Sequence, residues 1–383
     1  MLLESIEANN FRNLSGKIFC GPGLNIIYGN NGQGKTNWLE AIHTLARTKS
    51  FRTQRLQESI RFGAELATIR GRVTYSTDLY RDLQVALHGN TKSISINSKR
   101  EPLARYLAQL YVVALTADEL EVVRGMPEAR RRFIDRGVAS LHPSYVQTLS
   151  DYQRVIKQKN RILQDVPERK VSPAATQDLL APWNVQLAGL AGKIYRARTD
   201  YVESLNQVLE RRLFGREEIF VSYVSSLAGK GNLDDYEGLI AERLQLRLQA
   251  EIAAGRSLIG PHRDDLSILF EGREMRVFGS AGQQRSALLL LDLAAISLYN
   301  SSHNEYPLFL IDDVEAELDE KRIDKLLEYL EGRTQTFITT SKRNHVERFL
   351  SGANIYEIEN GSVVATKPET APGPMLQTAA EGA

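Results

Sequence analysis

Leu24 to Ala46 reads LNIIYGNNGQGKTNWLEAIHTLA: an apolar run, a turn rich in glycine, then apolar positions at helical spacing. That is half of a βα unit. The opening residues, MLLESIEANNF, read as a first strand. Short alternating runs follow, ATIRGRVTY, DLQVALH and KSISIN, the last two separated by GNT, and together they predict a small antiparallel sheet. From about Pro127 to Leu213 the pattern turns helical and is broken at QDVPERKVSPAAT, the bend of a helical hairpin. After EEIFVSYV and a helix near Asp234 to Ala254, strand patterns return in DLSILF, YPLFLID, QTFITTS and NIYEIENGSVVAT.

These elements predict an α/β chain with a head built from both ends, residues 1–126 and 256–366. A mainly helical arm, 127–255, is inserted between them. The segment 367–383, rich in Pro, Ala, Thr and Gly, has too few large apolar groups to fold and is expected to be a disordered tail. No internal repeat or long heptad run is visible.

Composition changes this picture little. The 383 residues are 42% apolar and 25% charged, as in ordinary globular proteins. Lysine plus arginine (48) nearly cancels aspartate plus glutamate (47), so any attraction to nucleic acid has to come from local patches. A lone cysteine, Cys20, excludes an intrachain disulfide and a cysteine-based zinc site. The N-terminus lacks the pattern of a secretory signal. The longest apolar run, Ala287 to Leu298, is interrupted by Asp292 and falls short of the ~20 residues that span a bilayer. The expectation is a cytoplasmic protein with no membrane partner.

Chemistry enters at GNNGQGKT, residues 29–36, which fits G-x-x-x-x-G-K-[ST]. Gly29, Asn30, Asn31, Gly32, Gln33 and Gly34 would wrap phosphates with backbone N–H groups, and the helix start at Lys35, Thr36 and Asn37 adds its positive dipole. Lys35 would reach the β- and γ-phosphates of ATP, and the Thr36 hydroxyl would bind Mg²⁺. PLFLIDDVEAELD supplies the second magnesium group, an apolar strand ending in Asp312. Asp313 is then placed to polarise the attacking water. QTFITTS ends in the hydroxyls Thr339, Thr340 and Ser341, of which Thr340 is the candidate for sensing the γ-phosphate.

A second loop has related chemistry. In RVFGSAGQQRSALLLLDLAAISL, residues 276–298, Ser280, Gly282 and Gln283 form a small donor-rich turn before an apolar helix. Taken alone it is a good helix cap. Beside a phosphate loop it is also a candidate second phosphate grip.

In combination these motifs resemble the ABC ATPases, and more closely the RecF family within their SMC-like branch. The strings that carry the likeness are NFRNL (10–14), YGNNGQGKTNWLEAI (28–42), TKSFR (48–52), EARRRFIDR (128–136), LIGPHRDDL (258–266), SAGQQR (280–285) and DDVEAELD (312–319). The resemblance implies an ABC-type P-loop ATPase head, with a mixed sheet, flanking helices and an antiparallel subdomain. It further implies that Arg12 and Asn13 help bind nucleotide, that Ser280, Gly282 and Gln283 act on the ATP of a second copy, and that Asp319 lies in a loop communicating between copies. The implied activity is slow, DNA-stimulated ATP hydrolysis. It would serve an ATP-dependent homodimer at single-strand gaps, junctions and duplex DNA, with RecR-like and RecO-like mediators and recombinase loading. Alternatives are another SMC-like ATPase of DNA maintenance and a P-loop small-molecule kinase.

The DNA contacts are less legible. RGMPEARRRFIDR gathers Arg124, Arg130, Arg131, Arg132 and Arg136, and YQRVIKQKNR adds Arg154, Lys157, Lys159 and Arg161. Composition alone favours solvated helix faces paired with Glu128 and Asp135. The resemblance favours DNA binding for the chain without assigning it to any of these residues. His262 has no second ligand at metal spacing, so a hydrogen-bonded structural role near the head's sheet is expected for the GPHRDD segment.

Overall fold

The computed structural model describes residues 1–76, 79–169, 173–212, 217–318, 320–348 and 352–367. Asp319, the centre of the expected hairpin bend at 170–172 and the expected tail beyond Lys367 lie outside the described residues. In chain order the first elements are β1 (Leu2–Phe11), β2 (Leu14–Phe19), β3 (Leu24–Tyr28), α1 (Lys35–Arg47), β4 (Leu66–Ser76), β5 (Leu79–His88), β6 (Thr91–Ile96) and β7 (Lys99–Arg100). Next come α2 (Leu103–Leu107), β8 (Val112–Leu115), α3 (Glu121–Arg124), α4 (Pro127–Leu141), α5 (Tyr145–Arg169), α6 (Pro173–Leu209), β9 (Ile219–Val224), α7 (Tyr236–Leu246) and α8 (Leu248–Ala254). The last are β10 (Asp265–Phe270), β11 (Arg273–Glu274), α9 (Met275–Phe278), α10 (Ala281–His303), β12 (Leu308–Ile311), α11 (Val314–Glu317), α12 (Glu320–Leu330), β13 (Thr336–Thr340), α13 (Arg343–Arg348), β14 (Ala353–Glu359) and β15 (Ser362–Lys367).

Internal packing divides the chain into two units, one of residues 1–101, 109–116 and the chain from Tyr306, the other of 102–108 and 117–305. This differs from the expected boundaries. Residues 256–305 do not return to the head: β10 pairs with β9 and β11, and α10 packs on α3, α4 and α6, so the strand pattern of DLSILF is used inside the helical unit.

The first unit holds two sheets. One is antiparallel, in the order β2-β1-β4-β5-β6-β7, as the alternating runs predict. The other runs β15-β14-β3-β13-β12-β8, with β14, β3, β13, β12 and β8 parallel and β15 antiparallel at the edge. Continuous apolar runs such as Leu308–Ile311, buried at every position, suit parallel strands covered on both faces. Helix α1 packs on β13 and on β1, β4 and β5, burying Trp38, Leu39, Ile42 and Leu45. Gly71 in β4 makes room for α1, since a Cβ there would meet Leu45 Cδ2 at 2.3 Å and push that side chain aside. Cys20 is half-buried, and burial pushes its thiol up.

The second unit is built on the pair α5 and α6, with the small sheet β11-β10-β9. Leu163, Leu180 and Leu248 form one apolar centre. Within this unit α10 buries its apolar run from Ala287 to Leu293. Among the described residues no helix is long and apolar enough to cross a membrane.

Candidate functional site

Because β3, β13 and β12 are parallel neighbours, their C-terminal ends open on one edge of the sheet, where α/β proteins bind ligands. Three sequence motifs meet there. Thr36, in the first turn of α1, donates from Oγ1 to Asp312 Oδ1 at 2.9 Å, across 276 positions of sequence. Thr339 Oγ1 donates to the same carboxylate oxygen at 2.7 Å, and the Asp313 N–H donates to Thr339 Oγ1 at 2.7 Å. The strand order explains this: β13 lies between the phosphate-loop strand and the aspartate strand, so its side chains bridge the two.

The 29–36 loop is fixed by its own glycines and by two neighbouring turns. Gly32 (φ 81°) and Gly34 (φ 107°) lie in the left-handed region that favours glycine. A Cβ on Gly34 would meet Asn13 Oδ1 at 2.8 Å. Asn13 Nδ2 donates to Gln33 O at 3.4 Å, and its Oδ1 accepts from Asn37 Nδ2 at 2.7 Å. From the other side the β14–β15 turn supplies the Gly361 N–H to Gln33 O (2.7 Å) and the Asn360 N–H to Gln33 Oε1 (2.8 Å). Trp38 Nε1 donates to Gly361 O at 3.2 Å.

Lys35 is buried, with Nζ donating to Gly29 O (2.8 Å) and Asn30 O (3.0 Å) and lying 3.4 Å from Asn31 Oδ1. Burial pushes its ammonium down, against the pull of Asp313, Glu315 and Asp312. Asp313 adopts φ 48°, an uncommon conformation for a residue with a side chain. Partial desolvation, then Glu315 and Asp312, hold its carboxyl above the ordinary range. The result is a compact arrangement of one ammonium, three carboxylates and several hydroxyls at the mouth of a loop rich in backbone N–H groups.

Two of the residues expected at the nucleotide are held by carboxylates of the same unit. Arg12 is clasped by the fully buried Glu40, with Nε to Oε2 at 3.1 Å and Nη2 to Oε1 at 2.8 Å, and its Nη1 donates to Glu58 O. Thr340 Oγ1 donates to Glu315 Oε1 at 3.1 Å, while Thr339 is the residue that touches Asp312. Glu315 also accepts from the Ser341 N–H (2.9 Å) and Oγ (3.1 Å). Burial alone would raise the Glu315 carboxyl, but these donors outweigh it and hold it below its ordinary value.

In the helical unit, Ser280 and Gln283 form a capping box: Ser280 Oγ accepts from the Gln283 N–H (3.3 Å) and Gln283 Oε1 from the Ser280 N–H (3.0 Å). Ser280, Ala281, Gly282 and Gln283 are all exposed.

A family model described as the RecF/RecN/SMC N terminal domain matches residues 2–363. The chain belongs to this family. Proteins named DNA replication and repair protein RecF are similar over nearly full length. The one from Ruminiclostridium cellulolyticum is 34% identical over 95% of this chain and 99% of its own, and that from Staphylococcus epidermidis is 35% identical over 95% and 100%. A solved structure described as the recombination mediator protein RecF-ATP superposes with a TM-score of 0.87 at 28% identity, covering 96% of this chain and 97% of that one. An Smc head bound to part of ScpA gives a TM-score of 0.54 at 14% identity and shares the fold. The fold is that of an ABC-type ATPase head with its helical unit.

Within the helical unit, the GPHRDD segment and the arginines of RGMPEARRRFIDR are tied into hydrogen bonds and ion pairs. Asp264 is fully buried and accepts from Tyr223 OH (2.6 Å), Tyr236 OH (3.2 Å) and the Ser226 N–H (2.7 Å), while its carbonyl takes Arg131 Nη1 (2.7 Å). Arg130 grips Asp265 through two bonds, and Arg124, Arg132 and Arg136 pair with Glu121, Glu128 and Glu119. His262 Nδ1 pairs with Tyr152 OH at 2.6 Å, and burial lowers its pKa to about 4. The network is structural, as expected, but it surrounds the β9–β11 sheet of the helical unit rather than the head's sheet. Lys159 is likewise removed from the surface, fully buried 2.7 Å from Glu251.

Sequence reasoning missed Glu40, Glu315 and the Asn360–Gly361 turn. A readable signal existed for Glu40, the one charge inside the apolar stretch WLEAI of an amphipathic helix. Asn-Gly is a recognised hairpin turn. Nothing in it reveals that the turn abuts the phosphate loop.

Proposed function

We propose that this chain is an ATP-switched DNA-binding protein of recombinational repair and replication restart. The observation that carries the reading is the junction of Thr36, Asp312 and Thr339 at the mouth of the 29–36 loop. The names of the RecF relatives support the biological setting.

ATP would enter with its phosphates on the N–H groups of residues 29–36, and Lys35 would exchange its carbonyl partners for β- and γ-phosphate oxygens. The hydroxyl of Thr36 and the carboxylate of Asp312 are hard oxygen donors already gathered at one point, and they fit Mg²⁺. When bound, the ion would supply charge neutralisation for the phosphates. Asp313, next to that pair, would orient and polarise the attacking water. Asn13 acts by holding Gln33 and Asn37. Arg12 and Thr340 would reach the nucleotide from positions set by Glu40 and by Glu315, which ties the end of β13 to the start of α11.

Ser280, Gly282 and Gln283 of one copy would close on the ATP held by another, so that nucleotide stabilises the dimer by mass action and hydrolysis releases it. The dimer would hold gapped, junction or duplex DNA, stimulate its own slow turnover there, and hand the site to RecR-like and RecO-like mediators for recombinase loading. Ser280→Arg places a long cation on that face. It is expected to retain ATP binding and lose ATP-dependent dimerisation in sedimentation. Equal dimer fractions for variant and parent would overturn the reading in trans.

A further inference from the structure

Arg130 and Lys159 are buried, but the helical unit carries a second basic region. On the helical unit, α5, α6 and α7 enclose an open groove of about 760 Å³. Its length follows α6 from Trp183 to Arg196, and its walls carry Asp151 and Arg154 from α5 and Glu237 from α7.

Three properties of the groove bear on its occupant. Trp183 is half-buried in its wall, immediately after Pro182, the proline inside α6. The floor is low at Gly189, where even an added Cβ would approach nothing closer than Glu237 Oε1 at 3.4 Å. Arg154, Lys193 and Arg196 are exposed along it, against the two carboxylates. Arg154 is paired with Asp151 at 3.0 Å, but Lys193 and Arg196 have no ion-pair partner among the described residues. Lys157 and Arg161 extend the positive charge along the same face of α5, at i+3 and i+7 from Arg154.

We propose that this groove binds single-stranded nucleic acid, with Trp183 as the platform for an unpaired base and Lys193 and Arg196 as phosphate contacts. An aromatic face beside exposed cations is the chemistry of sequence-tolerant strand binding. Ammonium and guanidinium groups without protein partners hold phosphate without reading sequence. A duplex satisfies the cations equally well but hides its base faces, so the tryptophan selects an unpaired strand. The inference deepens the proposed DNA-binding role and rests on it.

The chain's two tryptophans make the test direct, because Trp38 is fully buried in the head and Trp183 lines the groove. The full-length protein is titrated with an oligothymidylate strand and with a blunt duplex, with and without ATP. Intrinsic fluorescence and anisotropy of labelled DNA are followed together. The strand is expected to quench tryptophan emission. Trp183→Ala is expected to weaken strand binding by roughly 5- to 150-fold, the worth of one stacked base, while leaving duplex binding unchanged. Trp183→Phe restores most of the affinity. Lys193→Glu, at an exposed position where folding is not at stake, lowers affinity for both ligands and flattens the salt dependence.

Strand binding at parental strength by both Trp183→Ala and Lys193→Glu, with no quenching in the parent, overturns the groove while leaving DNA binding elsewhere on the chain intact. The same result combined with loss of a protein partner by Trp183→Ala reassigns the groove to protein docking and overturns it equally. Failure of the parent to bind either DNA overturns the DNA-binding reading itself.

Discussion

Two loops of this chain each open a helix with glycine and polar residues, and they are built in opposite ways. The 29–36 loop is held from both sides within its unit, by Asn13 and by the Asn360–Gly361 turn, with Lys35 drawn into its carbonyls. The 280–283 segment, a cap residue and the first turn of α10, is held by its own helix through a reciprocal cap, and each of its residues is exposed. A loop that must offer N–H groups to phosphate in a fixed geometry gains from tertiary contacts that set it beforehand. Local capping is enough for a loop whose task is to keep its shape while presenting an open face. The contrast supports the division of labour proposed above, in which one loop holds nucleotide and the other meets the nucleotide of a second copy.

The largest effect is expected at the centre of the braced loop. Lys35→Met removes the one cation inside it, and a charge-assisted bond to phosphate is worth about 1.5–3 kcal/mol. Affinity for ATP should fall by roughly 10- to 100-fold in a titration with a fluorescent ATP analogue. Parental affinity would mean that phosphate does not sit on the 29–36 loop.

A smaller but more discriminating effect is expected from Gly361→Ala, more than three hundred positions away in sequence. Gly361 has φ 83°, and a Cβ there would meet Asn13 O at 2.1 Å. The left-handed conformation and the overlap together should cost at least about 2 kcal/mol. The thermal midpoint of the head is expected to fall by several degrees, and ATP affinity to fall with it because Gln33 loses its support. An unchanged ATP affinity in a destabilised variant would show that the brace serves folding alone.

This contrast also marks what sequence can carry. The strand, turn and helix of LNIIYGNNGQGKTNWLEAIHTLA were legible because backbone requirements and hydrophobic period are local. The approach of Asp312 to Thr36 followed from the chemistry of phosphate loops, since a P-loop needs a carboxylate at a strand end. The order β3-β13-β12 was not legible, and with it went the bond from Thr339 to Asp312, because strand pairing decides which hydroxyl lies beside the aspartate strand. Arg130, Lys159 and Asp264 show a further limit. A charged residue in a helix or loop pattern reads as surface, and only the fold reveals a buried counterion such as Asp265 or Glu251. For the same reason the boundary at 256 was misplaced, because DLSILF announces a strand and not the sheet that it joins.

The smallest effects are expected in the self-capped loop, and they separate its local role from its external one. Ser280→Ala removes the side-chain acceptor of the capping box and should cost about 1 kcal/mol. Gly282→Ala should leave stability within about 0.5 kcal/mol of the parent, since its added Cβ would meet nothing within 4 Å. That methyl nonetheless projects from the exposed turn, where the proposed second copy's phosphate would approach. Thermal unfolding and ATP-dependent sedimentation of Gly282→Ala should therefore diverge, the first matching the parent and the second showing fewer dimers. If both measurements match the parent, Gly282 belongs to the cap and takes no part in the contact between copies. If both fall together, the loop has tertiary support that its exposure does not reveal, and the contrast with the 29–36 loop disappears.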